Sequence, residues 1–316
     1  MKSPAEAHMT SEADRTPALS IVVPMLNEEE GVKPLLDALE QAFADFPGGW
    51  EVIAVDDGSS DDTWKVISCE ARRRTPLRGM RLKRNFGQHA ASIAGLEAAR
   101  GSMVALMDAD AQVDTWEMRR LVERVADGAD LAFAARDHTA EGFLKGRLGA
   151  WIARVSCRSC AARPKLPPST FLAARRDVVK SALSFKRRRP VISYHMLLGG
   201  ARRIEWTHPQ NHRRVAGATK YGAWRLFKIA LDVFFGYTDL PFKVLTGMAI
   251  GAPLGAFLAG AGWMWLAASG SVAGGVALAI GGVLVAACLV GAGFIAARAA
   301  MDARDTGALY LVGETL

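Results

Sequence analysis

From Leu19 to Arg136, short apolar runs rich in β-branched residues alternate with longer segments whose apolar positions repeat at helical spacing. Leu19–Pro24, Glu51–Asp56, Leu77–Leu82, Met103–Asp108 and Leu131–Arg136 are predicted strands, each too short for a stable helix. Between them, Gly31–Phe46, Asp61–Arg73, Phe86–Ala99 and Trp116–Asp127 are predicted helices. Strand and helix alternating in this way imply an α/β fold, with a mostly parallel sheet covered by helices on both faces. Ligands of such sheets bind at the carboxyl ends of the strands. Acidic residues collect at two of those ends, Asp56-Asp57 and Asp108-Ala-Asp110.

The pattern changes abruptly near residue 240. From Val244 to Ala297, 54 consecutive residues include no Asp, Glu, Lys, Arg or His. Ser269-Gly270-Ser271 divides this stretch into Val244–Ala268 and Val272–Ala297. Each segment is about 38 Å long as a helix, enough to cross a hydrocarbon core of roughly 30 Å. A buried hairpin of a soluble domain would keep a polar face, which this one lacks. Gly247, Gly251 and Gly255 recur at the spacing that lets membrane helices approach closely. Trp263 and Trp265 fall near the far end of the first segment, where such rings favour the interface. Lys243, Arg298 and Arg304 flank the body side and the turn is uncharged, so the positive-inside rule places the body and both termini in the cytoplasm. Thr219–Gly236 puts Trp224, Phe227, Leu231 and Phe234 on one face and Arg225, Lys228 and Asp232 on another. That stripe suits a helix in the headgroup layer, and equally one packed on the body. The expected organisation is a tail over 1–17 without order, a body over 18–218, a juxtamembrane helix over 219–240, a hairpin over 241–298 and a cytoplasmic tail over 299–316.

Charge adds to this picture. Lys and Arg exceed Asp and Glu, 39 against 32, for a net charge of +7. Anionic headgroups attract a basic body. Nucleic acid is not indicated, because zinc-finger spacing, stacking aromatics and basic heptads are all missing. The four cysteines are too scattered for a disulfide framework, and Cys157-Arg-Ser-Cys160 lacks the second pair that a zinc site needs. Glu6, Glu12 and Asp14 precede any apolar run, so the N-terminus does not read as a secretory signal. Neither GxGxxG nor GxxxxGK[ST] occurs.

Residues i and i+2 of an extended segment point the same way, so the carboxylates of Asp108 and Asp110 can face one point. They repel unless a proton or cation lies between them. Gln112 adds an oxygen at the next same-side position. Mg²⁺ or Mn²⁺ takes a few protein oxygens and completes its shell with phosphate and water, so the pattern suits a metal-assisted departure of diphosphate. A solvated turn at a strand end has the same sequence.

Four motifs appear in order: Ile21-Val-Val-Pro-Met-Leu-Asn-Glu-Glu29, Val55-Asp-Asp-Gly-Ser-Ser-Asp-Asp-Thr63, Arg84-Asn-Phe-Gly-Gln-His89 and Met107-Asp-Ala-Asp-Ala-Gln112. Together they resemble the family 2 glycosyltransferases of GT-A fold. With Arg214-Val-Ala-Gly-Ala-Thr-Lys-Tyr221 and the hairpin, the likeness narrows to the polyprenyl-phosphate sugar synthases. These include dolichol-phosphate mannose synthase, bactoprenol glucosyltransferase and the undecaprenyl-phosphate aminoarabinose transferases. The resemblance covers about Leu19 to Ala297.

It implies that Pro24, Glu28 and Asp57, with Asp56 beside them, hold the nucleotide of a sugar donor. It implies further that Asp108, Asp110 and Gln112 bind Mg²⁺ or Mn²⁺, and that Arg136 meets the acceptor phosphate, with Arg147 a further candidate. Arg214 and Lys220 match a loop that closes over the phosphates, although both also suit ordinary basic surface near a membrane. The implied enzyme is a homo-oligomer at a bacterial inner membrane, moving a sugar from a UDP- or GDP-linked donor to a polyprenyl phosphate. Departures accompany the likeness. Leu26 replaces a common Tyr, Ala111 and Val113-Asp114-Thr115 interrupt the metal motif, and Thr170 and Leu172 stand where relatives carry an Asp and often an Arg. A transferase acting on a finished glycolipid, a processive polysaccharide synthase and a non-catalytic scaffold remain alternatives. The processive Gln-x-x-Arg-Trp motif is broken, since Gln210-Asn-His-Arg213 continues with Arg214.

Overall fold

The computed structural model describes residues 16–109, 115–134, 169–185, 191–207, 240–269, 272–303 and 310–316. Eight strands form one sheet in the order β7-β5-β6-β4-β1-β2-β3-β8. The first five follow the predicted runs: β1 Leu19–Met25, β2 Trp50–Asp56, β3 Leu77–Leu82, β4 Met103–Leu106 and β5 Leu131–Ala134. The helices between them are α1 Val32–Phe43, α2 Thr63–Ala71, α3 Gln88–Ala98 and α4 Thr115–Ala126. Each starts one or two residues later or earlier than its periodicity suggested, as frayed ends do.

β4 stops two residues short of the predicted Asp108. Its pairing with β1 ends at the Val22–Leu106 rung, followed by one more bond from Met107 N–H to Val22 O. The next β1 residue facing that way is Pro24, which has no N–H to donate. β4 is therefore released, and Asp108 leaves the sheet as the start of a loop. Because Pro24 pairs with Val55 on the β2 side, its position costs the sheet nothing there.

The β1–β4 region is parallel, with β1 buried along its whole length. Alternate residues feed two separate cores. Ile21, Val23 and Met25 join Leu36, Phe43, Ile67, Met118 and Leu121 on the α1, α2 and α4 face. Val22, Ile53 and Val55 join Ile93, Leu131, Phe133 and Leu172 on the α3 face. Gly95 lets α3 lie close to the sheet, because a β-carbon there would come within 2.3 Å of Val22 Cγ1.

Three strands were not foreseen. β6, Leu172–Arg175, enters antiparallel between β4 and β5. Helices α5, Arg176–Ser184, and α6, Ile192–Leu198, follow it, and β7, Ile204–Thr207, adds a parallel edge beside β5. The third, β8, lies within the segment expected as a cytoplasmic C-terminal tail over 299–316. Val312–Thr315 pairs antiparallel with β3. Trp64 Nε1 donates to Glu314 Oε2 at 3.0 Å, Leu316 N–H donates to Gly79 O, and the Tyr310 hydroxyl donates to Glu97. Burial and the neighbouring Glu97 carboxylate raise the Tyr310 pKa.

Two long helices lie between these parts, α7 Leu240–Ser269 and α8 Val272–Ala303. Both outrun the predicted segments. They pack through glycines: a β-carbon on Gly281 would lie 2.6 Å from Ala259 Cβ, and one on Gly291 would lie 2.4 Å from Met248 Cε. Their outward positions are apolar, with Phe257, Val283 and Val290 about 70% exposed. Thr246–Ser269 is long and apolar enough to cross a membrane, and α8 carries a shorter apolar run, Ile280–Gly293. The predicted helix over 219–236 and residues 1–15 of the expected tail lie outside the described residues.

At the amino ends of the strands, buried Glu51 ties the sheet together. Its Oε1 accepts from Ser20 Oγ at 2.7 Å and from Arg100 N–H, while Oε2 accepts from the guanidinium groups of Arg78 and Arg100 at 3.0 Å. Burial alone would raise its pKa, but these donors outweigh it and hold the carboxyl below its ordinary value. A lowered folded pKa stabilises the fold above the unfolded value, near 4.3, and that contribution is lost as pH falls through the folded value. Glu51→Gln is expected to cost about 2–3 kcal/mol at neutral pH. The deficit should shrink in acid, as chemical denaturation in detergent at about pH 7 and about pH 3 would show.

Candidate active site

Four loops meet at the carboxyl ends of β1 to β4. The first begins at Asn27, which adopts a left-handed conformation with φ of 55°. Asn is among the few residues with a side chain that take this conformation readily. Its Oδ1 accepts from Ser60 N–H at 2.9 Å, and its own N–H donates to Ser59 Oγ. Glu28 N–H donates to Thr63 Oγ1 at 2.8 Å. The loop after β1 is thus laced to the loop after β2, and Glu28 is half-buried beside it. A β-carbon on Gly31 would lie 3.8 Å from Ala109 O, so the same turn runs alongside the end of β4.

Asp56 and Asp57 do different work. Asp56 has no exposed surface; its Oδ1 accepts from Ser59 N–H at 2.9 Å and its Oδ2 lies 3.1 Å from Arg81 Nε. Asp57 is also buried, and its two oxygens accept the backbone N–H groups of Phe86 and Gly87, each at 2.8 Å. Burial raises the Asp57 pKa, the two N–H donors oppose that rise, and the Asp56 charge adds to it. Between the strand end and this loop, Gly58 has φ of 70°, and a β-carbon there would lie 2.5 Å from the Arg84 carbonyl carbon. Glycine is required on both counts.

Asp108 is half-buried at the mouth of this region. Gln88 Nε2 donates to its Oδ1 at 2.5 Å, and Thr170 Oγ1 donates to its Oδ2 at 3.2 Å. Leu172, by contrast, is core: it is fully buried and pairs with Leu106 and Phe133.

The structure therefore gathers Glu28, Asp57 and Asp108 at one edge of the sheet. Pro24 and Asp56 sit below them, inside it. Asp110, Gln112, Arg136, Arg147, Arg214 and Lys220 lie outside the described residues. Among the described residues there is no cluster of three or more His, Cys, Asp or Glu side chains that could hold a metal. Three contributors were not picked out as site residues: Arg81, Gln88 and Thr170. Gln88 stands in a recognised motif, and Thr170 was visible only as a departure. Arg81 carried no signal, since its role depends on β3 lying next to β2.

A family description, "Glycosyl transferase family 2", matches residues 20–178. The chain belongs to glycosyltransferase family 2. Within that family it is 31% identical over 241 residues to an undecaprenyl-phosphate 4-deoxy-4-formamido-L-arabinose transferase of Pseudomonas paraeruginosa, covering 76% of this chain and 71% of the relative. It is 30% identical over 238 residues to a dodecaprenyl-phosphate galacturonate synthase of Rhizobium johnstonii, covering 74% and 70%. A solved structure of a mycobacterial protein shares 22% identity with a TM-score of 0.50, covering 71% of this chain and 74% of that one, a likeness of fold alone. The matched family region runs from β1 into α5, and so takes in Asn27, Glu28, Asp56, Asp57, Arg81, Gln88, Asp108 and Thr170.

In this glycosyltransferase, the paired hydrogen bonds at Asp57 bear directly on the shape of the site. Asn offers one oxygen where the carboxylate offers two, and its amide would face a backbone N–H. Asp57→Asn is expected to lower stability by about 1–3 kcal/mol, read as a shift in the denaturation midpoint. Glu30→Gln, at an exposed position on the loop after β1, should shift it by roughly 0.5 kcal/mol or less.

Proposed function

We propose that this family 2 glycosyltransferase transfers a sugar from a nucleotide-sugar donor to a polyprenyl phosphate held in a membrane. The observation that carries the reading is the position of Asp108. Its carboxylate stands at the open carboxyl edge of a family 2 sheet, beside loops fixed by Asn27 and Asp57. The substrate classes come from the relatives, whose names specify undecaprenyl and dodecaprenyl phosphates.

The membrane part of the reading is supported by topology. The chain leaves the sheet after β7, forms α7 and α8, and returns to the same sheet as β8. If α7 crosses a bilayer, α8 must cross back, because both ends of the pair belong to one body. Lys243 and Arg298 at those ends favour the cytoplasmic side of a bacterial inner membrane. A long isoprenoid acceptor stays in the bilayer, so a catalytic body anchored on that surface meets it there.

Glu28, Asp57 and Asp56, with Pro24 beneath, shape the donor-nucleotide side, chiefly through the loops they fix. Asp108, with Asp110 and Gln112, would hold Mg²⁺ or Mn²⁺. The hard carboxylate oxygens of Asp108 suit such a cation, which when bound would neutralise charge on the departing diphosphate. Arg214 and Lys220 are assigned to the phosphates, and Arg136 and Arg147 to the acceptor. A phosphate monoester is mostly dianionic near neutrality. Its oxygen forms the new bond to the anomeric carbon as the bond to the nucleoside diphosphate breaks, with the electron pair leaving on the diphosphate. Attack from the opposite side inverts the anomeric centre. No strong base is needed, which fits Thr170 at the position where relatives place an acid. Assembly as a homo-oligomer is part of the same proposal.

The test uses purified protein in detergent with undecaprenyl phosphate, Mn²⁺ and a panel of nucleotide sugars, following release of UDP or GDP. One donor is expected to give lipid-dependent release, falling at least about 100-fold in Asp108→Asn. Release that ignores the lipid, or that survives in Asp108→Asn, would overturn the reading.

A further inference from the structure

The Asp108 carboxylate is gripped from two sides by parts of the chain far apart in sequence. Gln88, the first residue of α3, reaches it across 2.5 Å, and Thr170, on the approach to β6, across 3.2 Å. Each grip has its own foundation. The backbone just before Gln88 is pinned by Asp57 through Phe86 and Gly87, and Ser92 Oγ donates to Gln88 O at 2.8 Å. Thr170 is flanked by buried Ser169, whose Oγ accepts from Phe171 N–H, while Phe171 O accepts from Ala134 N–H in β5. The donors are thus held by the sheet's own loops.

The chemistry of the two donors matters as much as their placement. A carboxylate that captures a divalent cation needs a fixed orientation and its full negative charge. An Arg or Lys partner supplies the first at the expense of the second. A primary amide and a hydroxyl can orient a carboxylate without themselves setting a positive charge beside it.

We propose that Gln88 and Thr170 are positioning residues that set the orientation of Asp108 for capture of a divalent cation, and through it of the donor diphosphate. The proposal rests on the reading of Asp108 as a metal ligand. It gives the hydroxyl of Thr170 a role where relatives have an acid, and links the Asp57 clasp to the metal site through a single residue, Gln88.

The experiment is a Mn²⁺ titration followed by electron paramagnetic resonance, on the full chain in detergent with UDP or GDP present. The chains compared are the unaltered protein, Gln88→Leu, Gln88→Asn, Thr170→Val and Thr170→Ser. Gln88→Leu and Gln88→Asn are expected to weaken Mn²⁺ binding by roughly 10–100-fold, and Thr170→Val by about 10-fold. Thr170→Ser keeps the hydroxyl and should stay within roughly twofold of the unaltered chain. Melting temperatures should move by no more than about 2 °C, because Gln88 is exposed and Thr170 half-buried. In turnover, the loss should fall on the Mn²⁺ concentration required, with kcat recovered at saturating metal. Mn²⁺ affinity unchanged in folded Gln88→Leu, Gln88→Asn and Thr170→Val would overturn the proposal while leaving the functional reading intact. Absence of Mn²⁺ binding by the unaltered chain would overturn both.

Discussion

The buried carboxylate of Asp57 organises the working end of this molecule. A carboxylate removed from water is costly unless its lone pairs are filled. Here each oxygen accepts one of two consecutive backbone N–H groups, Phe86 and Gly87, from a loop that would otherwise have no reason to lie against the end of β2. The approach is close enough that only glycine fits at position 58. Once the loop is fixed, α3 begins where Gln88 meets Asp108. The same interaction therefore decides where β2 ends, where α3 starts and which way the acid at the end of β4 points.

A second constraint acts at the other end of the chain. β8 adds to the edge of β3, on the half of the sheet that carries Asp56, Asp57 and Arg81. Its hydrogen bonds to Gly79, Lys83 and Trp64 make the sheet the common anchor of everything before and after the helix pair. If such a pair, tied at both ends to one body, crosses a bilayer, the body is left on one surface. That geometry suits chemistry between a soluble donor and an acceptor confined to the membrane. The glycine contacts between α7 and α8 let the two helices pack closely, as membrane helices do.

Much of this was legible beforehand. β1 to β5 and α1 to α4 follow from apolar periodicity because each is a local signal, complete within some ten residues. The acidic runs were expected at the carboxyl ends of β2 and β4, where Asp57 and Asp108 lie, and 54 uncharged residues led to the helix pair. β6, β7 and β8 were not legible. Leu172–Arg175 and Val312–Thr315 stand outside the strand–helix alternation, and become strands because β4, β5 and β3 offer edges to pair with. The extent of β4 depended on a residue in another strand, Pro24, which ends the pairing at Leu106.

The sequence by itself determined the fold class, the family, the helix pair and the identity of the acid at the end of β4, since each is written in residues close together along the chain. Tertiary structure alone decided what holds that acid. Gln88 and Thr170 are 82 positions apart, and Asp57 acts on Asp108 only through a loop from a third strand. Hydrogen bonds are satisfied by whatever the fold brings within about 3 Å, and a sequence does not state those distances.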